Sequence, residues 1–274
     1  MRFLFLGTGT SAGVPAIGCG CAVCTSADPR DQRLRTAGAV QFSDASGVER
    51  TVLLDAGPDL RMQALRAGLT RCDGVLFTHN HVDHTFGVDE LRRFNAVMDR
   101  PIDIYADEHT LDSLRRVYKH IFDRQSNVND SFVATLIPHR VQPGVAVDLH
   151  GMRFTPVPLL HGKLPILGYR IEPIAGPSGP FPLAYCTDVS GIPPESWKWL
   201  RGLKTLVLDA LRHRRHPTHF TVGQAVGVAH EVGAERTYFV HMAHDLPHES
   251  TNADLPEGMS LAHDGLVLAG SLGN

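Results

Sequence analysis

The sequence predicts a single α/β domain over residues 1–274, and three observations predict it. Short apolar runs of strand character alternate with segments of helical spacing along the whole length. No polar or low-complexity linker divides the chain, and no repeat of about 20–50 residues is visible. Hydrophobic residues make up 43% of the chain against 20% charged, ample for a buried core.

The elements follow in order. Residues 2–6 read as a first strand running into a turn at Gly7-Thr8-Gly9-Thr10. Residues 39–42 and 51–55 are strands, the second ending in Ala56-Gly57-Pro58. Residues 59–67 have helical spacing through Leu60, Ala64 and Leu65, with Gly68 closing the helix. Residues 74–77 form a buried strand that delivers a histidine-rich run into the next loop. Residues 89–98 are a helix with Leu91, Phe94, Val97 and Met98 along one side. Then come a strand at 102–106, a helix at 111–122, and strands at 152–160, 167–174 and 183–187. A hairpin loop at 175–182 joins the last two. A strand at 205–209, a helix at 222–232 and a strand at 237–240 complete the pattern.

The net charge of −3 supplies no bulk field that would draw nucleic acid or a membrane surface. The apolar start is too short for a signal peptide or a span, so the expectation is a cytoplasmic protein without membrane partners.

Chemistry concentrates in histidine, of which there are 16. His79-Asn80-His81-Val82-Asp83-His84 puts four potential ligands into six residues, on the turn after a strand. Imidazole with carboxylate suits zinc, manganese, iron or nickel. One ion takes three or four ligands, so this run invites two ions completed from elsewhere. Three candidates follow apolar strands directly: His161, Asp188 and His241. Isolated residues such as His150 and His230 read as ordinary surface or core histidines. A closed structural metal site is the intermediate reading; more than four mixed His/Asp ligands suit an open dinuclear centre better.

The run, with Gly7-Thr8-Gly9-Thr10, Leu53-Leu54-Asp55-Ala56-Gly57 and Thr187-Asp188, resembles the metallo-β-lactamase fold superfamily over essentially the whole chain. The resemblance implies a four-layer αβ/βα sandwich with a pair of divalent cations, Mn²⁺ or Zn²⁺, at one edge. It implies that His79, His81 and His161 hold one ion, that Asp83, His84 and His241 hold the other, and that Asp188 bridges them. Asp55 then positions the ligand loop through hydrogen bonds.

Of five cysteines, Cys19, Cys21 and Cys24 crowd into six residues, one ligand short of a tetrahedral zinc site. His244, three residues after His241, offers the fourth, making a structural Zn²⁺ the expectation. The alternative is a loop of free thiols, which would be an oxidation liability. Cys72 and Cys186 read as small buried residues.

The cysteine run, the histidine run, Tyr185-Cys186-Thr187-Asp188 and His241-Met242-Ala243-His244 together are similar to the PhnP-type phosphodiesterases of the carbon–phosphorus lyase pathway. That similarity implies hydrolysis of small, including cyclic, phosphodiesters, a homodimer, and a histidine near the scissile phosphate. His219 matches it, with His216 close by as a competitor for the role. Asp83 or Asp188 would orient the nucleophile, and His219 would stabilise charge or protonate the leaving oxygen. Ribonuclease Z-like processing of precursor tRNA is the less favoured substrate reading, since no long basic Gly/Pro-rich arm is seen. Thioester or β-lactam hydrolysis, and a non-catalytic metal-binding protein, are the remaining readings. Two stretches lie outside the resemblance: the segment after Asp245, and the basic run Arg212-His213-Arg214-Arg215-His216. The latter reads as a solvated loop or, beside His219, as an attractor of phosphate.

Overall fold

A computed structural model describes residues 1–126 and 131–270. The chain opens with β1 (Arg2–Gly7), β2 (Ala37–Ser43), β3 (Glu49–Leu54), α1 (Leu60–Arg66) and β4 (Gly74–Leu76). It continues with α2 (Val82–Thr85), α3 (Leu91–Met98), β5 (Ile102–Ala106), α4 (Glu108–Val117), α5 (Lys119–Phe122) and β6 (Leu136–Arg140). The second half contains β7 (Val147–Leu149), β8 (Met152–His161), β9 (Leu164–Pro173), β10 (Leu183–Cys186), β11 (Thr205–Asp209), α6 (Val222–Val232) and β12 (Arg236–Val240). It closes with α7 (His248–Asp254), β13 (Met259–Leu261) and β14 (Val267–Ala269).

The strands form two 7-stranded sheets, ordered β14-β1-β2-β3-β4-β5-β6 and β13-β12-β11-β10-β9-β8-β7. Each sheet is antiparallel on one side and parallel on the other, the parallel run being β3 to β6 in the first and β10 to β13 in the second.

Strand alternation builds the layers. In β1, Phe3 and Phe5 face the second sheet and pack with Phe42, Phe154, Tyr169 and Tyr185 in the core between the sheets. Leu4 and Leu6 face outward, beneath helices that contribute Leu60, Leu91 and Leu111. The outer face of the second sheet is covered in the same way, with Leu206, Leu208 and Phe239 against Ala225 and Ala229 of α6. The arrangement is the expected αβ/βα sandwich. Ligands to such sheets gather at the carboxyl ends of parallel strands, and that edge carries the candidate site.

Several expectations need correction. The helix expected over 111–122 is two helices that part at Tyr118, whose ψ of 44° leaves the helical region. The strand expected to start at 167 begins at Leu164, paired with β8 from His161 onward. β6, β7, β13 and β14 were not anticipated; three of them have only three residues, too short to show a period of two. The segment after Asp245 proves integral: β13 extends the second sheet beside β12, and β14 pairs with β1 in the first. Between them, Asp264 accepts from Thr8 Oγ1 at 2.7 Å and from the Leu34 N–H at 2.8 Å. This segment therefore ties the two sheet edges together.

Candidate metal centre

After β4 the chain passes through Phe77 and turns into the histidine run. His81 is the N-cap of the short α2, which carries Asp83 and His84. His79, Asp83 and His84 are buried and His81 is exposed. The turn is held from beneath by Asp55, just past β3. Its carboxylate accepts from the Thr78 N–H at 2.8 Å, from Thr78 Oγ1 at 2.9 Å and from His84 Nδ1–H at 2.8 Å. Two glycines let the backbones approach. A Cβ on Gly57 would lie 2.0 Å from the Asp83 carbonyl oxygen, and one on Gly87 would lie 2.0 Å from that of Gly57.

Three residues of the candidate site adopt left-handed backbone just past a strand, Asp55 (φ 65°), Asp188 (φ 59°) and His241 (φ 60°), as His150 (φ 51°) does after β7, outside the site. Such a conformation costs about 1–2 kcal/mol for a residue with a Cβ, although Asp and His tolerate it better than most. At the end of a strand it kinks the chain and re-aims the side chain. Backbone strain at a functional site is a familiar association, and here all three residues belong to the candidate site.

The donors converge in two groups that share one carboxylate. Ligand atoms of His79, His81 and His161 lie within 4.8 Å of one another, as do those of Asp83, His84, Asp188 and His241. Asp188 reaches both groups. Its Oδ2 is 3.2 Å from His241 Nε2 and 3.9 Å from His79 Nε2, and its Oδ1 is 3.2 Å from His84 Nε2. Asp83 Oδ2 lies 3.3 Å from His84 Nε2 and 3.7 Å from His241 Nε2. The fit to cations can be tested on the nitrogens. His79 Nε2, His84 Nε2 and His241 Nε2 are buried without a hydrogen-bond partner, a costly state that coordination would relieve. The opposite nitrogens of His79 and His84 are engaged, His79 Nδ1 with Thr78 Oγ1 at 2.9 Å and His84 Nδ1 with Asp55, as is His161 Nδ1 with the Thr218 carbonyl at 2.8 Å, whereas His241 Nδ1 has no hydrogen-bond partner. Each contact directs the Nε2 lone pair inward, the arrangement that metal-binding histidines use.

The electrostatics divide the imidazoles, lowering His79, His81 and His161 and raising His84 and His241. Burial pushes the His79 imidazole well below its ordinary value, and the neighbouring His84 adds to the effect. Burial alone would raise the Asp83 carboxyl, but the imidazoles of His241 and His84 outweigh it and hold the group ionised. Burial alone would also lower His84 and His241, but the Asp188 carboxylate outweighs it and raises both imidazoles, so a cation bound there would take the place of their protons.

His219 joins this cluster from the loop after β11. Its ring centroid is 4.6 Å from those of His161 and His241. His219 Nδ1 is 2.7 Å from Asp209 Oδ2, which leaves Nε2 for the site. His216 stands further out, with its ring 5.1 Å from that of His219, and belongs to none of the close ligand groups. Asp209 was missed in the sequence. It ends the apolar strand Thr-Leu-Val-Leu-Asp, the same context that singled out His161, Asp188 and His241, so the signal was present. Its Oδ1 is an unpartnered buried oxygen 4.0 Å from His241 Nδ1. Burial pushes the Asp209 carboxyl well up and the His219 imidazole down to about 3, so the pair favours a state without net charge.

The cysteine run forms a second cluster. His244 Nδ1 is 3.1 Å from Cys19 Sγ and 3.4 Å from both Cys21 Sγ and Cys24 Sγ. The buried Arg33 holds the loop that carries His244, donating to the carbonyls of Ala243 (2.9 Å) and Leu246. The Cys24 N–H, with smaller contributions from neighbouring side chains, lowers the Cys21 thiol to about 6, while burial pushes Cys24 up to about 11. Cys72 and Cys186 are buried in the cores, as expected of small apolar residues. Among the described residues no helix is long and apolar enough to cross a membrane.

Comparison with known proteins places this geometry. The family of the beta-lactamase superfamily domain matches residues 50–242. The chain is 34% identical over 268 residues to an octanoyltransferase of Porphyromonas gingivalis, covering 97% of this chain and 51% of that protein. It therefore spans about half the length of that relative. It is 27% identical over 310 residues to coenzyme PQQ synthesis protein B of a Methylobacterium species, covering 98% and 99% of the two chains. Among solved structures, a diphosphatase from the PhnP family shares 44% identity over 98% of this chain and 97% of its own, with a TM-score of 0.85. The short form of human tRNase Z shares the fold at 19% identity, with a TM-score of 0.70 over 98% of each chain. By the matched family, the similarity to the PhnP-family diphosphatase and the sandwich itself, this chain belongs to the metallo-β-lactamase superfamily, with PhnP-like relatives.

Proposed function

We propose that the protein is a dinuclear phosphodiesterase acting on small phosphodiesters, diphosphate diesters included. The single observation that carries the reading is the position of Asp188, whose Oδ1 and Oδ2 lie 3.2 Å from His84 Nε2 and His241 Nε2 in one donor group while Oδ2 also lies 3.9 Å from His79 Nε2 in the other. In this reading His79, His81 and His161 hold one divalent cation, Asp83, His84 and His241 hold the other, and Asp188 lies between them. Cys19, Cys21, Cys24 and His244 hold a structural zinc. When bound, the cation pair supplies Lewis acidity, acidifying water and neutralising charge on the phosphoryl oxygens. The PhnP-family relative is a diphosphatase, which supports a phosphoryl substrate over a lactam or thioester.

The chain's own groups account for the rest. Asp83 and Asp188 are ionised acceptors that orient a water at the reacting position. Asp209 and His219 act as one acid. In their state without net charge one proton lies between Oδ2 and Nδ1 and a second sits on His219 Nε2, wherever the shared proton resides. That Nε2–H donates to the leaving oxygen as the ester bond breaks, and Asp209 stabilises the imidazole through the transfer. The exposed face of His81 leaves the substrate a route in.

A substrate screen of the Mn²⁺- and Zn²⁺-loaded protein tests the reading. Bis(p-nitrophenyl) phosphate, ribose cyclic phosphates and ADP-ribose should be cleaved, with lactams and thioesters left intact. Turnover of precursor tRNA far above every small diester, or no phosphodiester turnover with either metal, would overturn it.

A further inference from the structure

We infer that Arg33 is a positioning residue for the reaction: by clamping the turn after β12 it sets both His241 and His244, and so links cation binding at the two metal sites. This rests on the two-ion reading above. Among the buried histidine ligands, His241 is the one that no hydrogen bond aims, since neither of its ring nitrogens has a partner. The direction of its ring therefore depends on its backbone, kinked to a φ of 60°. That backbone is held from the first segment of the chain. The Met242 N–H donates to the Thr8 carbonyl and the Thr10 N–H to the Met242 carbonyl, both at 3.0 Å, which fixes the residue after His241. Arg33 continues the hold. Its Nη1–H donates to the Ala243 carbonyl at 2.9 Å and its Nη2–H to the Leu246 carbonyl, so one side chain grips the turn on both sides of His244.

The same residue closes the cysteine loop. The Arg33 N–H donates to the Val14 carbonyl at 2.7 Å and the Val14 N–H to the Arg33 carbonyl at 2.8 Å, and Cys19, Cys21 and Cys24 lie on the chain between them. Gly9 makes room for this neck, because a Cβ there would lie 2.9 Å from Arg33 Cβ. Arg33 thus holds the three thiols through its backbone and the turn of the two histidines through its side chain. Its charge is the telling part. The guanidinium is wholly shielded from solvent, with Asp31 as its ion pair at 3.2 Å and Nε left without a partner. A charge buried in this way seldom stabilises a fold more than an apolar side chain of equal volume, whereas its directional donors select one geometry. Asp31 Oδ1 also accepts from the His248 N–H at 2.8 Å, which anchors the clamp on α7. With the turn held as one unit, fixing His244 against the thiols also fixes His241 for its cation, and linkage makes the effect reciprocal.

The test is a double-mutant cycle read by Mn²⁺ titration calorimetry, with zinc content followed by elemental analysis. Zinc is withdrawn from the cysteine cluster by Cys21→Ser, in the parent and in an Arg33→Met background. The binding step that His241→Ala abolishes is the one measured. In the parent background Cys21→Ser should weaken that step about five- to a hundredfold, the range of a typical coupling between sites, and the other Mn²⁺ step much less. In the Arg33→Met background the same change should have little effect. A side chain that only filled space would leave the coupling factor the same in both backgrounds. Arg33→Lys, which keeps the charge but not the fork, should recover part of the coupling. If Arg33→Met does not fold, Asp31→Asn, which loosens the Nη2 end, should reduce the coupling in its place. A step that Cys21→Ser leaves unmoved, or a coupling factor that survives Arg33→Met or Asp31→Asn in full, overturns the inference while the phosphodiesterase reading survives. A parent with a single Mn²⁺ step overturns the two-ion reading as well.

Discussion

The two ligand clusters make an instructive pair. The His/Asp centre draws on strand ends and loops from across the chain, and its backbone is kinked into left-handed conformation at Asp188 and His241. Three of its imidazoles, those of His84, His79 and His161, are aimed by a partner behind them, Asp55, Thr78 and the Thr218 carbonyl. The Cys/His cluster instead takes three donors from one loop and a fourth from 225 residues away, over a small apolar patch of Val14 and Val23. Its four donors are in mutual contact, which describes a closed tetrahedral set. The His/Asp centre has more donors than one ion can use and an exposed flank at His81. The number of donors and the open side, more than the residue types, separate a candidate for chemistry from a candidate for stability.

That contrast can be broken most forcefully at Asp188. Asp188→Ala removes the shared ligand, so kcat/KM should fall at least about a thousandfold, with metal content per chain dropping in elemental analysis. A variant with near-parent turnover would end the two-ion reading. Asp209→Asn should be next, lowering kcat about a hundredfold as the acid loses its partner. Metal content should stay at the parent level in that variant, and a loss of metal would recast Asp209 as a support for His241.

At the other cluster, Cys21→Ser should release zinc, read by a chromogenic chelator, and lower the thermal midpoint by roughly 5–10 °C. Its effect on kcat should be smaller than that of Asp209→Asn; the reverse order would make the cysteine cluster part of the catalytic apparatus. The smallest effect concerns His248, on the helix that follows the His244 loop. Burial, helped by Arg30 and Arg33, lowers its imidazole from 6.5 to about 4. A depressed value means the native state disfavours the proton. The stability it confers is therefore full above about 6.5 and is lost as the pH falls toward 4. In urea titrations His248→Gln should lose less stability than the parent across that window, and parallel losses would remove His248 from the account.

Much of the candidate site was legible because its residues share one local context, a polar side chain directly after an apolar strand. His161, Asp188 and His241 show it, and so does Asp209, which was overlooked because a lone aspartate ending a strand is common. The regular helices were legible through their apolar periodicity, as in α6, where Val222–Val232 matches the expected limits. The short strands β7, β13 and β14 were not, since three residues cannot display alternation. Their existence depends on a neighbouring strand that offers unpaired backbone groups.

By itself, then, the sequence determined the α/β class, the strands β3, β4, β5, β10, β11 and β12, and most of the candidate donors, because these depend on local pattern and residue chemistry. Only the tertiary structure decided which nitrogen of His79, His84 and His161 faces inward, that Asp209 stands behind His219, and that the segment after Asp245 ties the two sheets together. Those facts depend on distances between residues as far apart as Thr8 and Asp264. Such pairings are settled by packing and hydrogen bonding across the fold, where local propensity has no say.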